Sequence, residues 1–103
     1  MRKKSGVILD GVHSKLFDAA LLIEPIMVKH GQECVITSGR DSVHGRNSRH
    51  YIGMALDFRT RDLNPNDYVK IADKVRKVLG EEYFSQMESN HLHVQWNGKA
   101  GNW

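Results

Sequence analysis

His91 and His93, separated by one leucine, and His50 and Asp57, seven positions apart, are the side chains here best suited to chemistry. Borderline metals such as zinc bind imidazole nitrogen and carboxylate oxygen. A catalytic zinc takes three protein ligands and leaves one position for water. Two imidazoles and a carboxylate therefore point to metal-assisted hydrolysis. Ser48, beside His50, carries a hydroxyl that can orient His50 or Asp57 by hydrogen bonding.

The surrounding pattern has to bring these groups together. In a strand, residues i and i+2 share a face. A strand over Leu92 to Trp96 then turns His91 and His93 the same way and sends Leu92 and Val94 to the core. One imidazole can bind metal while the other reaches toward substrate. Ala55 to Thr60 alternates as a strand carrying Asp57, and His50 lies in the preceding loop. Gly53 between them permits the sharp turn that joins the two side chains.

The remaining elements supply the core. Leu16, Ala19, Ala20, Ile23 and Met27 form the apolar stripe of a helix over Lys15 to Lys29, with Ser14 as N-cap, Gly31 as stop and Pro25 expected to kink or split it. Cys34 to Thr37 reads as a short buried strand, and Arg40 to Arg49 as a polar surface loop. Asn64-Pro65 opens a second helix, Asn66 to Leu79, with Val69, Ile71, Ala72, Val75 and Leu79 inward and Gly80 ending it. Tyr83 to Met87 pairs with Leu92 to Trp96 as a hairpin around Ser89-Asn90. The class is α+β: a small, mainly antiparallel sheet flanked by helices, one domain over residues 1–103.

Composition narrows the function classes. The longest apolar stretch, Ala19 to Val28, is broken by Glu24 and Pro25, which excludes a membrane-spanning helix. Met1-Arg2-Lys3-Lys4 has the charge of a signal-peptide start, but the apolar run after it is too short. Synthesis in the cytoplasm is expected, as a monomer. Cys34 has no internal disulfide partner and reads as a buried, inert thiol. A net charge of +3 favours anionic partners. Bacterial cell wall and nucleic acid both qualify, but no nucleic-acid motif is present. Arg59-Thr60-Arg61 and Lys70 to Lys77 read as solvated faces that would also suit an anionic wall polymer, and His13, His30 and His44 as ordinary histidines. Tyr51, Tyr83, Trp96 and Trp103 read as core or surface residues that could also line a groove.

The run Ser48-x-His50-x-x-Gly53-x-Ala55-x-Asp57 followed by His91-x-His93 resembles the signature of the LAS-type zinc peptidases. These include D-Ala-D-Ala carboxypeptidases and L-Ala-D-Glu endopeptidases, and are related to the metal-binding domain of hedgehog signalling proteins. Val35-Ile36-Thr37-Ser38-Gly39-Arg40 is similar to the family's strand before its substrate-binding arginine. The resemblance spans Val35 to Trp96. It implies one zinc ion held by His50, Asp57 and His93, with water acidified toward a pKa of about 7. It implies that Arg40 contacts the substrate carbonyl or its developing oxyanion. It also implies a peptide bond of peptidoglycan as substrate, with action on the cell wall after release or export.

The general base departs from the family pattern. The position of the usual glutamate, three before the last ligand, holds Asn90, which cannot take a proton. His91 matches members with His-x-His, and Glu88 is the only carboxylate close by in sequence. Both are expected to participate: Glu88 as base or proton shuttle, His91 polarising substrate or stabilising the transition state. The alternative is a non-catalytic zinc module of the hedgehog-like type, in which the ion staples a small domain.

Overall fold

The computed structural model describes residues 1–41 and 53–98. Its elements in chain order are β1 (Arg2–Lys3), α1 (Ser14–Lys29), β2 (Val35–Ser38), β3 (Ala55–Arg59), a 3-10 turn (Pro65–Asp67), α2 (Tyr68–Leu79), β4 (Tyr83–Met87) and β5 (His91–Trp96). The five strands form one mixed sheet in the order β1-β2-β3-β5-β4. Only β1 and β2 are parallel, joined through α1; the other three pairings are antiparallel. The α+β class and mostly antiparallel sheet match the sequence expectation.

Both helices cover one face of the sheet. Leu16, Ile23 and Met27 from α1 and Ile71, Val75 and Leu79 from α2 meet Ile36, Leu56, Phe58, Leu92, Val94 and Trp96 in a single core. Strand periodicity decides which residues join it. On β3 Leu56 and Phe58 enter the core, so Asp57 and Arg59 take the opposite face, the open face in the sense that no helix among the described residues covers it. On β5 Leu92, Val94 and Trp96 are buried and alternate with half-buried His91, His93 and Gln95. The hairpin expectation holds, with Met87 paired to Leu92. Glu88 N–H donates to the His91 carbonyl at 2.8 Å across the Ser89-Asn90 turn.

Three local expectations are corrected, and one strand has no counterpart among them. The first helix runs unbroken through Pro25, because the carbonyl that loses its donor belongs to Leu21, which is 62% exposed and can be hydrated. Its N-cap is His13, whose Nδ1 accepts from Lys15 N at 3.1 Å, one residue before the expected Ser14. Val69 is 77% exposed, since it stands two residues from buried Ile71 and so on the opposite side of a 3.6-residue turn. Arg2-Lys3, the charged start of the chain, is a strand: Arg2 N–H donates to the Cys34 carbonyl at 3.2 Å and Lys4 N–H to that of Ile36 at 2.8 Å.

Gly53 has φ of +77°, and a Cβ there would run into the Gly11 carbonyl. Its own carbonyl accepts from His13 N–H at 2.9 Å. The turn expected of this glycine is thus a close backbone approach between the entry to β3 and the entry to α1. Among the described residues, no helix is long and apolar enough to cross a membrane.

Candidate metal centre

Asp57 and His93 are register partners on β3 and β5, and both point to the open face. Asp57 Oδ1 lies 3.1 Å from His93 Nδ1, and Asp57 Oδ2 lies 3.7 Å from His91 Nε2. The carboxylate, 9% exposed, therefore sits between two imidazoles that are 18% and 31% exposed. The juxtaposition follows from period two: His91 pairs with Arg59 and His93 with Asp57, so one carboxylate meets two successive open-face histidines.

The second nitrogen of each ring is also engaged. His93 Nε2 is 3.0 Å from Gln95 Oε1, whose amide nitrogen in turn donates to Asn97 Oδ1 at 2.9 Å. This chain orients Gln95 so that its oxygen accepts the Nε2 proton, leaving Nδ1 to face Asp57. His91 Nδ1 lies 2.6 Å from Asn90 Oδ1. Burial works against the imidazolium of His93, but hydrogen bonds to Asp57 and Gln95, together with the charges of Asp57 and Glu88, hold its pKa above the ordinary histidine value.

The arrangement fits a divalent ion. Zinc–ligand bonds of about 2.0–2.1 Å in a tetrahedron set neighbouring donors about 3.3 Å apart, close to the 3.1 Å between Asp57 Oδ1 and His93 Nδ1. The donors are those that zinc accepts, and Gln95 supplies the outer hydrogen bond that fixes a ligand tautomer. Among the described residues this pair is not completed to a three-ligand set. His50, the third ligand expected from sequence, and Ser48, its expected hydrogen-bond donor, lie outside the described residues, as do His44, Tyr51 and Trp103.

Glu88 stands on the open face too, at the in-register position opposite His91, because Phe84 and Gln86 on the same strand oppose Gln95 and His93. Its charge reaches His93. Arg40 is exposed just beyond β2, where its backbone N–H donates to the Ile8 carbonyl at 3.0 Å and its side chain lies over Gly11. Among the described residues, no hydrogen bond or ion pair links the Arg40 side chain to Asp57, His91 or His93.

The expected bland roles hold elsewhere. Cys34 is 1% exposed, and burial pushes its thiol up to about 11. His30 ends α1 and lies 3.3 Å from Lys74 Nζ. His13 caps α1 and stacks on buried Trp96, ring centroids 4.3 Å apart. Half-buried Tyr83 donates its hydroxyl to the Lys15 carbonyl at 2.8 Å.

Sequence reasoning missed the walls of the site. A cleft of about 380 Å³ is lined by Asp57 and His91 together with Ser38, Lys4, Arg59 and Arg61. Ser38 reaches it because the β2–β3 register shifts after Ile36, setting Ser38 opposite Asp57. Arg59 is two residues beyond Asp57 on the same strand face, a signal present in the sequence; Lys4 and Ser38 had none. Another hollow, of about 420 Å³, lies between α2 and β4 and is lined by no histidine or carboxylate. It offers no comparable chemistry.

Comparison with models of known protein families and with curated proteins gives no match for this chain.

Proposed function

We propose that this protein is a zinc-dependent peptidase that hydrolyses a peptide bond in the stem peptides or cross-links of bacterial peptidoglycan. The observation that carries the reading is the meeting of Asp57 and His93, 3.1 Å apart on adjacent strands, within a sequence pattern that resembles the LAS-type peptidases.

Asp57 and His93, with His50 from the preceding segment, would hold the ion. Zinc supplies a Lewis acid that polarises the scissile carbonyl and acidifies water. Gln95 holds the Nε2 proton of His93 and so keeps Nδ1 available. Glu88, opposite His91 on the open face, takes the proton from the attacking water at its carboxylate and returns it to the leaving amine. His91, whose Nδ1 donates to Asn90 Oδ1, presents Nε2 toward Asp57 and, as the imidazolium with a proton on both nitrogens, donates to the oxygen that gains negative charge. Arg40 is assigned to the substrate carbonyl, on the resemblance alone.

A non-catalytic zinc module of hedgehog-like type is the second reading. The 3.7 Å approach of His91 Nε2 to Asp57 Oδ2 favours it, since a slightly closer His91 could occupy the fourth coordination position.

Digestion of purified peptidoglycan, with products identified by mass spectrometry, separates the two. Muropeptide cleavage is expected with zinc-loaded wild type and is lost on chelation and in His50→Ala. Cleavage unchanged by full chelation contradicts the mechanism. Absence of cleavage by protein verified to hold zinc supports the structural module.

A further inference from the structure

Three cations share the cleft with the candidate metal centre. Lys4, Arg59 and Arg61 line the same hollow as Asp57 and His91. They arrive by separate routes: Lys4 follows β1, with its N–H fixed on the Ile36 carbonyl at 2.8 Å; Arg59 ends β3 opposite His91; Arg61 sits in the turn beyond. Among the described residues, none of the three forms an ion pair with a carboxylate. Nearby Arg2, by contrast, is held by Glu33 at 2.9 Å.

Like charges gathered around one cavity repel, and a counter-anion in it relieves that repulsion. Asp57 by itself would turn an anionic substrate away. Three cations outnumber the one carboxylate that lines the cleft, and Glu88, whose charge reaches His93, lies outside that lining. Two of them are arginines, whose planar forks match a carboxylate in bidentate fashion. The hollow, about 380 Å³, is local, whereas a nucleic-acid backbone is tracked by cations spread along a stripe.

We propose that Lys4, Arg59 and Arg61 form a carboxylate-binding subsite, so that the peptide accepted beside Asp57 and His91 carries a negative charge next to its scissile bond. The inference rests on the peptidase reading for its substrate and adds a specificity element to it. The carboxylate can come from the free C-terminus of the peptide or from an acidic residue within it.

The test is equilibrium binding, by fluorescence anisotropy, of fluorescein-labelled L-alanyl-γ-D-glutamyl-L-lysyl-D-alanyl-D-alanine to the full chain. The peptide is compared with its C-terminal amide, its glutamyl α-amide and the doubly amidated form. All four are measured with zinc and again with chelator. Neutralising the carboxylate that is read should weaken binding about tenfold or more; which single amide does so identifies the source. Arg59→Gln and Arg61→Gln should cause the same loss with the acid and little further loss with the neutralised peptide, the coupling expected of a direct contact. Arg59→Lys, with circular dichroism on every variant, covers a failure of Arg59→Gln to fold.

Discrimination between acid and amide should survive chelation. If it does while zinc fails to bind, the metal reading falls and the subsite stands. Equal binding of acid and doubly amidated peptides, or acid–amide discrimination unchanged in Arg59→Gln, Arg61→Gln and Lys4→Gln, overturns the subsite. So does displacement of the peptide by a short single-stranded oligonucleotide with steep salt dependence, which would make the cleft a phosphate site.

Discussion

Asp57 and His93 face each other across β3 and β5 with Oδ1 and Nδ1 3.1 Å apart, while Gln95 occupies the far nitrogen of the same ring. A carboxylate next to an imidazole with a fixed tautomer is the smallest unit that can begin a zinc site on an open sheet face. Asp57→Asn keeps the shape and a carbonyl oxygen but removes the charge. Loss of an outer-shell partner costs about 10–100-fold in metal affinity, so loss of this ligand charge should cost more than about a hundredfold. Zinc titration calorimetry on chelator-stripped protein reads it directly.

Glu88 and His91 should separate turnover from metal binding. Glu88→Gln leaves the ligand pair intact and should retain zinc affinity, with turnover falling about 10²–10⁴-fold. His91→Ala should also retain zinc under the peptidase reading, whereas the structural-module reading expects affinity to fall with it. Parallel zinc titrations and peptidoglycan digestion give both quantities. Full activity of Glu88→Gln removes its proton-transfer role.

Two glycines provide an internal control for the turn entering β3. Gly53 and Gly31 have nearly the same φ, +77° and +82°, but a Cβ at Gly31 meets nothing within 4 Å while one at Gly53 meets the Gly11 carbonyl. Gly31→Ala should therefore cost only the left-handed backbone penalty, about 1–2 kcal/mol. Gly53→Ala adds backbone displacement on top, for about 2–5 kcal/mol in all. Urea denaturation of both variants checks the difference.

Cys34 gives a pH-dependent signature independent of metal. Burial raises its thiol pKa from 9.0 to about 11. Between those values the unfolded chain has lost the proton that the folded chain keeps, so stability falls as pH rises through that window. The loss attributable to this thiol is about 3 kcal/mol, complete near the folded-state pKa. Denaturant melts of wild type and Cys34→Ala across the alkaline range should diverge there and run parallel below it. Near neutral pH, iodoacetamide should label Cys34 only after unfolding.

Much of this architecture was legible because alternation along a strand is a local property. Leu92, Val94 and Trp96 demanded a buried face, and that demand alone aimed His91 and His93 outward. The same rule applied to Ala55 to Arg59 aimed Asp57 outward and should have taken Arg59 with it; a basic pair flanking Thr60 reads as solvated only when its strand face is ignored. Arg2-Lys3 was not legible as a strand, since two exposed cations carry no periodicity and their pairing with Val35 and Ile36 depends on the path of α1. Pro25 misled for the opposite reason: its local penalty is real, but the affected carbonyl belongs to Leu21, an exposed residue. The opposition of Ser38 to Asp57 came from a register shift that no residue type announces.

Zinc-edge X-ray absorption on the zinc-loaded protein tests the central claim most directly. The account predicts four nitrogen or oxygen donors at about 2.0–2.1 Å, with multiple-scattering features of two imidazoles in wild type and of one in His93→Gln. A wild-type spectrum with sulfur in the first coordination sphere, or one unchanged by His93→Gln, would contradict it.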